Sequence, residues 1–250
     1  MPKSVMCLYG GTFDPPHYGH LYPLQQTADL LGIKRISLVP SHIPALKHGV
    51  SSTAHRVAMT TLLAEEDERM SVNLIEVNNN KTSYTVDTLR QLKQEDKTKN
   101  LVFIIGQDSL STLNKWHNWK DIFKYCHLLV MIRPCEADTK QNRMASKLYD
   151  FNTGEHAIND FIGSKMDKES QLYLSSKLAP VNLIRQCNTS DAFTDIISKL
   201  PEGNLWLVNN APYYCSSTSI REKIRANEEV SSYLPLKIEN YIKQHQLYNS

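Results

Sequence analysis

Two histidines three residues apart, His17 and His20, stand in the string Tyr9-Gly10-Gly11-Thr12-Phe13-Asp14-Pro15-Pro16-His17-Tyr18-Gly19-His20. At that spacing they share one side of a helical turn. Two imidazoles so placed can donate hydrogen bonds to the non-bridging oxygens of a phosphate. Gly10 and Gly11 let the backbone approach a ligand with no Cβ in the way. Gly19 keeps the space between the histidines open, and Pro15 and Pro16 stiffen the turn and shape the helix entry.

A second string has the same chemical leaning. Cys215-Ser216-Ser217-Thr218-Ser219-Ile220-Arg221 gathers hydroxyls at a helix start, and the first turn brings Arg221 back toward that start. Hydroxyls, free N–H groups and a guanidinium together suit a polyphosphate. Read alone, the string is equally a serine-rich cap with a surface arginine. Other residues with chemistry to offer are scattered more widely. Lys47 sits in a loop with Pro40 and Pro44, facing the expected phosphate site. Arg56 stands open between a solvated charge and a functional one. Thr85 can cap the helix that follows it, and a cap exposes N–H groups able to bind a small carboxylate. Gly106 permits close approach of a ligand. Asp108 can serve sugar hydroxyls, a metal or a helix cap. Trp116 and Trp119 are three apart, a spacing that packs a core face, unless one is held at a rim to stack on a planar ring.

These residues need a scaffold of strand ends. Short apolar runs at residues 5–9, 35–39, 72–77, 101–105, 128–132 and 205–208 read as buried strands. Helical patterns lie between them; Leu21, Leu24, Ala28 and Leu31, for example, mark one face of a helix. Such βα alternation predicts an α/β fold, a Rossmann-like doubly wound parallel sheet covered on both faces, with a small C-terminal helical part. In such sheets ligands bind at the carboxyl ends of the strands, and every string above sits at or soon after such an end. A single domain over residues 1–250 is expected. Residues 135–200 form an enlarged, irregular insertion without visible chemistry, and residues 216–250 form the helical part.

With 250 residues, 41% of them apolar, the chain can bury a substantial core. A net charge of +2, with no basic stretch interleaved with aromatics, argues against nucleic acid. No run approaches the ~18 apolar residues of a spanning helix, so no membrane partner is expected. The five cysteines are odd in number and lack a C-x-x-C pattern, which reads as reduced thiols rather than a disulfide framework or zinc site. No signal-peptide layout precedes the first strand. A cytoplasmic protein is expected, of unspecified oligomeric state.

The first string resembles the signature of the nucleotidylyltransferase superfamily, whose (T/H)-x-G-H element is here His17-Tyr18-Gly19-His20. The ordered set of this string, Lys47, Tyr84-Thr85, Gly106-Gln107-Asp108-Ser109, Trp116, Arg133-Pro134, Ser216 to Arg221 and the Leu247-Tyr248 tail is similar to the bacterial nicotinate-nucleotide adenylyltransferases. The likeness covers roughly residues 1–134 and 205–248. It implies direct adenylyl transfer from ATP to nicotinate mononucleotide, with Mg²⁺ accompanying the ATP, no protein-held metal and no enzyme nucleophile. It also implies roles. His17, His20 and Arg221 would be catalytic. Gly10, Gly11, Thr12, Phe13, His17, His20, Gly106, Asp108, Ser217, Thr218 and Arg221 would bind ATP. Lys47, Thr85 and Trp116 would receive the mononucleotide. The chain departs from the family at Pro44-Ala45-Leu46-Lys47, where Pro-Pro-His-Lys is frequent. Other acceptors remain open: nicotinamide mononucleotide, phosphopantetheine, FMN, or a phosphoalcohol with CTP. So does a nucleotide-binding regulator without turnover.

Overall fold

The β-branched and leucine-rich runs of the chain are strands, and amphipathic segments between them are helices. The computed structural model describes residues 4–47, 49–132, 147–148, 166–180, 183, 187, 193–211 and 213–249. In chain order the elements begin with β1 (Val5–Gly11), α1 (Tyr18–Leu31), β2 (Ile36–Pro40), β3 (Ile43–Pro44), α2 (Thr53–Ala64), β4 (Met70–Val72), α3 (Ile75–Asn78) and β5 (Thr82–Ser83). Then come α4 (Thr85–Glu95), β6 (Asn100–Gly106), α5 (Gln107–Leu110), two 3-10 turns (Leu113–Lys115 and Trp119–Lys124) and β7 (Cys126–Ile132). The remainder is β8 (Lys147–Leu148), α6 (Lys168–Ser175), α7 (Phe193–Lys199), β9 (Leu205–Asn209), α8 (Ser217–Arg225) and α9 (Leu236–Gln244).

The chain divides into two units. The first comprises Met1–Tyr9, Gln26–Lys34 and Tyr84–Pro212; the second comprises Gly10–Gln25, Arg35–Ser83 and Tyr213–Ser250. In the first, β1, β6, β7 and β9 pair side by side in parallel, with Leu8 opposite Phe103, Ile104 opposite Leu129 and Val130 opposite Leu207. The two-residue β8 adds antiparallel to β9. Every residue of β7 and β9 is buried. That is the pattern of parallel strands covered on both faces, and it explains why these strands read as unbroken apolar runs. Phe193 packs edge-on to Trp206, with ring centroids 5.3 Å apart.

In the second unit β2 pairs in parallel with β4, and β3 with β5. Helix α2 begins where the serine cluster predicts: Ser52 is the N-cap, its hydroxyl accepting from the His55 N–H. Residues Leu21, Leu24, Ala28 and Leu31 of α1 are all buried, as their spacing requires.

One expected strand is corrected. Residues 72–77 are not a strand beyond Val72; pairing covers Met70–Val72, and Ile75–Asn78 is a helical turn. The Asn73 side chain accepts from the Ile75 N–H and starts that turn. A local side-chain acceptor thus competes successfully with the ladder. The expected 135–200 insertion lies mostly outside the described residues, as does Arg133-Pro134. Among the described residues no helix is long and apolar enough to cross a membrane. The four described cysteines are buried.

Candidate active site

The turn after β1 is shaped by its own side chains. Phe13 adopts a left-handed backbone (φ 54°) with its ring buried. A Cβ on Gly11 would lie 2.8 Å from that ring. The Phe13 ring thus gives Gly11 a steric reason internal to the chain, beside the ligand approach expected of it. Gly10 is half-buried toward the end of β1.

The His17 carbonyl accepts from the N–H groups of His20 (2.8 Å) and Leu21 (3.2 Å), opening α1. The two histidine rings lie 3.8 Å apart, centroid to centroid, tilted by 44°. The His17 N–H donates to His20 Nδ1 at 3.2 Å. That bond makes Nδ1 an acceptor, so in the neutral ring the proton sits on Nε2 and His20 offers a donor there. His17 is buried and His20 half-buried. Gly19 allows this pairing, since a Cβ there would fall 2.9 Å from the His17 ring and 3.2 Å from the Cys215 carbonyl.

Helix α8 starts at the same turn. Ser216 caps it, its hydroxyl accepting from the Ser219 N–H at 3.1 Å. The Ser217 hydroxyl donates to the Pro15 carbonyl (3.0 Å). Arg221 donates through Nη1 to the Asp14 carbonyl (2.7 Å) and through Nη2 to the Thr218 hydroxyl (3.4 Å). The first turn thus brings Arg221 back to the helix start, as the spacing predicts. Two of its five N–H donors are used in these contacts.

Lys47 is exposed. Partial desolvation, then the Arg221 guanidinium, hold its ammonium below the usual lysine range, while Asp14 acts in the opposite sense. Cations beside a helix N-terminus suit an anion.

Three residues of this unit carry more than their sequence positions suggested. Asp14 is buried. Its carboxylate accepts from the Tyr248 hydroxyl at 2.7 Å and from the Ser51 N–H at 3.1 Å. Arg56 is 1% exposed and donates to the carbonyls of Thr12 (3.0 Å), Ser41 (2.6 Å), His42 (2.6 Å) and Ser51 (3.0 Å). It is a structural tie for the motif loop, which closes the question its sequence left open. A signal existed: Arg56, Met59 and Leu63 share helical spacing, and both apolar partners are buried. Tyr248 belongs to the Leu247-Tyr248 tail, where its type and spacing alone point to no chemistry.

The first unit holds the other candidates. Gly106 ends β6 with an ordinary backbone (φ −82°), and an added Cβ would meet nothing within 4 Å. The protein itself therefore has no steric need for glycine there. Asp108 is exposed in the first turn of α5, whose N-cap is Gly106, so Asp108 is not the cap. Thr85 is the first residue of α4 and not its cap either; Tyr84 occupies that position, with no side chain closing the helix start. The rings of Tyr84 and His117 lie 4.5 Å apart. The tryptophan pair divides: Trp119 is buried edge-on to Tyr173 (5.1 Å), while Trp116 is half-exposed.

Among the described residues no group of three His, Cys, Asp or Glu side chains is placed to hold a metal ion.

Residues 8–223 match the cytidylyltransferase-like family. The chain is 34% identical over 251 residues to a protein of Aeromonas salmonicida named probable nicotinate-nucleotide adenylyltransferase, covering all of both chains. It is 31% identical to the protein of the same name from Pseudoalteromonas atlantica, over 98% of this chain and 95% of that one. Among solved structures it is similar to Plasmodium falciparum nicotinic acid mononucleotide adenylyltransferase complexed with NaAD, at a TM-score of 0.64 and 17% identity, over 98% of each chain. The same enzyme complexed with APC gives a TM-score of 0.62. At that identity the structures establish a shared fold, a mostly parallel Rossmann-like sheet with flanking helices.

Proposed function

This chain belongs to the cytidylyltransferase-like family, among its nicotinate-nucleotide adenylyltransferases, and from that premise we infer that it transfers the adenylyl group of ATP to nicotinate mononucleotide. A phosphate oxygen of the mononucleotide attacks the α-phosphorus of ATP. The bond from that phosphorus to the bridging oxygen breaks, pyrophosphate leaves, and nicotinate adenine dinucleotide forms. This is a step of NAD biosynthesis.

The observation that carries the reading is the His17–His20 pair, with rings 3.8 Å apart, at the turn to which Arg221 is tied through the Asp14 carbonyl. Such a reaction needs positioning and charge stabilisation rather than a covalent nucleophile. His20 Nε2 and His17 would donate to phosphate oxygens. The charge that develops as pyrophosphate departs would be met by Arg221 and the α8 N-terminus with Thr218. Ser217, its hydroxyl already donating to the Pro15 carbonyl, would shape that site through its backbone. Backbone around Gly10, Gly11, Thr12 and Phe13 would line the nucleotide, and Lys47 would contact phosphate. In the first unit, the open space at Gly106 and the exposed carboxylate of Asp108 suit adenosine. The half-exposed Trp116 suits a pyridine ring, and the uncapped α4 start at Thr85 suits its carboxylate. Mg²⁺ would arrive with ATP, where it neutralises polyphosphate charge. A cytoplasmic location fits the scattered, buried thiols.

The test is pyrophosphate release with ATP and Mg²⁺, with nicotinate and nicotinamide mononucleotides offered separately. Strong preference for the acid is expected. Turnover with neither would refute the reading.

A further inference from the structure

Asp14 has two functions in one residue. Its backbone carbonyl holds Arg221, and its buried carboxylate is held in turn by Tyr248 and the Ser51 N–H. Tyr248 lies past α9, more than two hundred residues from Asp14 in sequence, and its hydroxyl lies 2.7 Å from Oδ1. Its backbone is left-handed (φ 67°), a conformation that a bulky L residue keeps only where its surroundings enforce it. Burial, together with the Asp14 carboxylate, pushes the phenol well above the usual tyrosine range, so it stays a donor. The neighbours of Asp14 in the loop are pinned as well: the Thr12 carbonyl by Arg56, and the Pro15 carbonyl by Ser217.

We propose that Tyr248 is a positioning residue for ATP: through the Asp14 carboxylate it sets the loop carbonyl that orients the Arg221 guanidinium. The proposal rests on the reading of Arg221 as a phosphate-binding group. Removing the hydroxyl leaves a buried carboxylate with one donor fewer. The loop then relaxes, and Arg221 loses its fixed aim. Nothing in this chain of contacts involves the mononucleotide receptor expected at Thr85 and Trp116.

ATP affinity, measured by calorimetry without any acceptor, tests this in four proteins: wild type, Tyr248→Phe, Arg221→Ala and the double variant. Tyr248→Phe should weaken ATP about fivefold, the effect of one modest hydrogen bond. In the Arg221→Ala background the same change should have almost no further effect, because the two act on one contact. Unchanged ATP affinity in Tyr248→Phe overturns the proposal. So does a fivefold loss that persists in full without Arg221, which is what general loosening of the fold produces. Should Tyr248→Phe fold poorly, Asp14→Asn in the same cycle decides by the same two outcomes. Because these affinities need no turnover, they stand apart from the reading of the reaction, which the pyrophosphate assay decides by itself.

Discussion

Replacing Arg56 by lysine keeps the charge and removes the geometry. Four backbone carbonyls, those of Thr12, Ser41, His42 and Ser51, accept from one planar guanidinium at 2.6–3.0 Å. A lysine ammonium donates from a single point on a flexible stem and cannot span the same arc. At least one carbonyl is then left bare in a buried site, and two by the spread of directions. Each costs about 1–3 kcal/mol, so the loss is about 2–6 kcal/mol. For a chain of this length each kcal/mol moves the melting midpoint by about 2–4 °C, which gives a drop on the order of 10 °C. Arg56→Met, which removes every donor and leaves Asp14 without this buried cation, should fall further. Thermal unfolding followed by circular dichroism checks both. A lysine variant that melts within about 2 °C of the wild type would refute the reasoning, because it would mean that these carbonyls find other donors at no cost.

His20→Ala should leave the melting midpoint within a few degrees and lower pyrophosphate release about 10²–10³-fold, as loss of a transition-state donor does; near-normal turnover removes the role. Trp116→Ala should raise KM for the mononucleotide more than for ATP, and equal effects would end the stacking assignment. Asp67 accepts from Arg69 Nη2 at 2.6 Å and Nε at 2.9 Å, which holds its carboxyl down to about 2. Its folded value lies below the unfolded one near 3.9, so its stabilisation is complete above pH ~4 and drains as pH falls toward 2. Asp67→Asn should therefore melt below the wild type at pH 7, with the gap narrowing below pH 4. A gap that stays constant down to pH 2.5 would contradict the pairing.

Much of the scaffold was legible because its determinants are local. The runs of β6, β7 and β9 announce strands buried on both faces, and Leu21 to Leu31 mark the buried face of α1. The failure at residues 72–77 is local too. Leu74, Ile75 and Val77 satisfy a strand by composition, but Asn73 provides a side-chain acceptor that turns the chain. Which of two acceptors an N–H group takes is a matter of fractions of an ångström, not of residue type.

The sequence by itself determined the residues of the candidate site: the paired histidines, the glycine between them, the serine-rich helix start and its arginine. Their spacing within single turns decides their geometry, since i to i+3 neighbours on a helix meet wherever that helix lies. Only the tertiary structure decided what holds them. Gly11 answers to the ring of Phe13, Arg56 is a buried tie rather than a solvated charge, and Asp14 joins Ser51, Arg221 and Tyr248. These contacts link residues tens to hundreds of positions apart, and no local pattern encodes them. They arise because a buried carboxylate and a loop of bare carbonyls must find donors, and the fold determines which distant side chains are there to supply them.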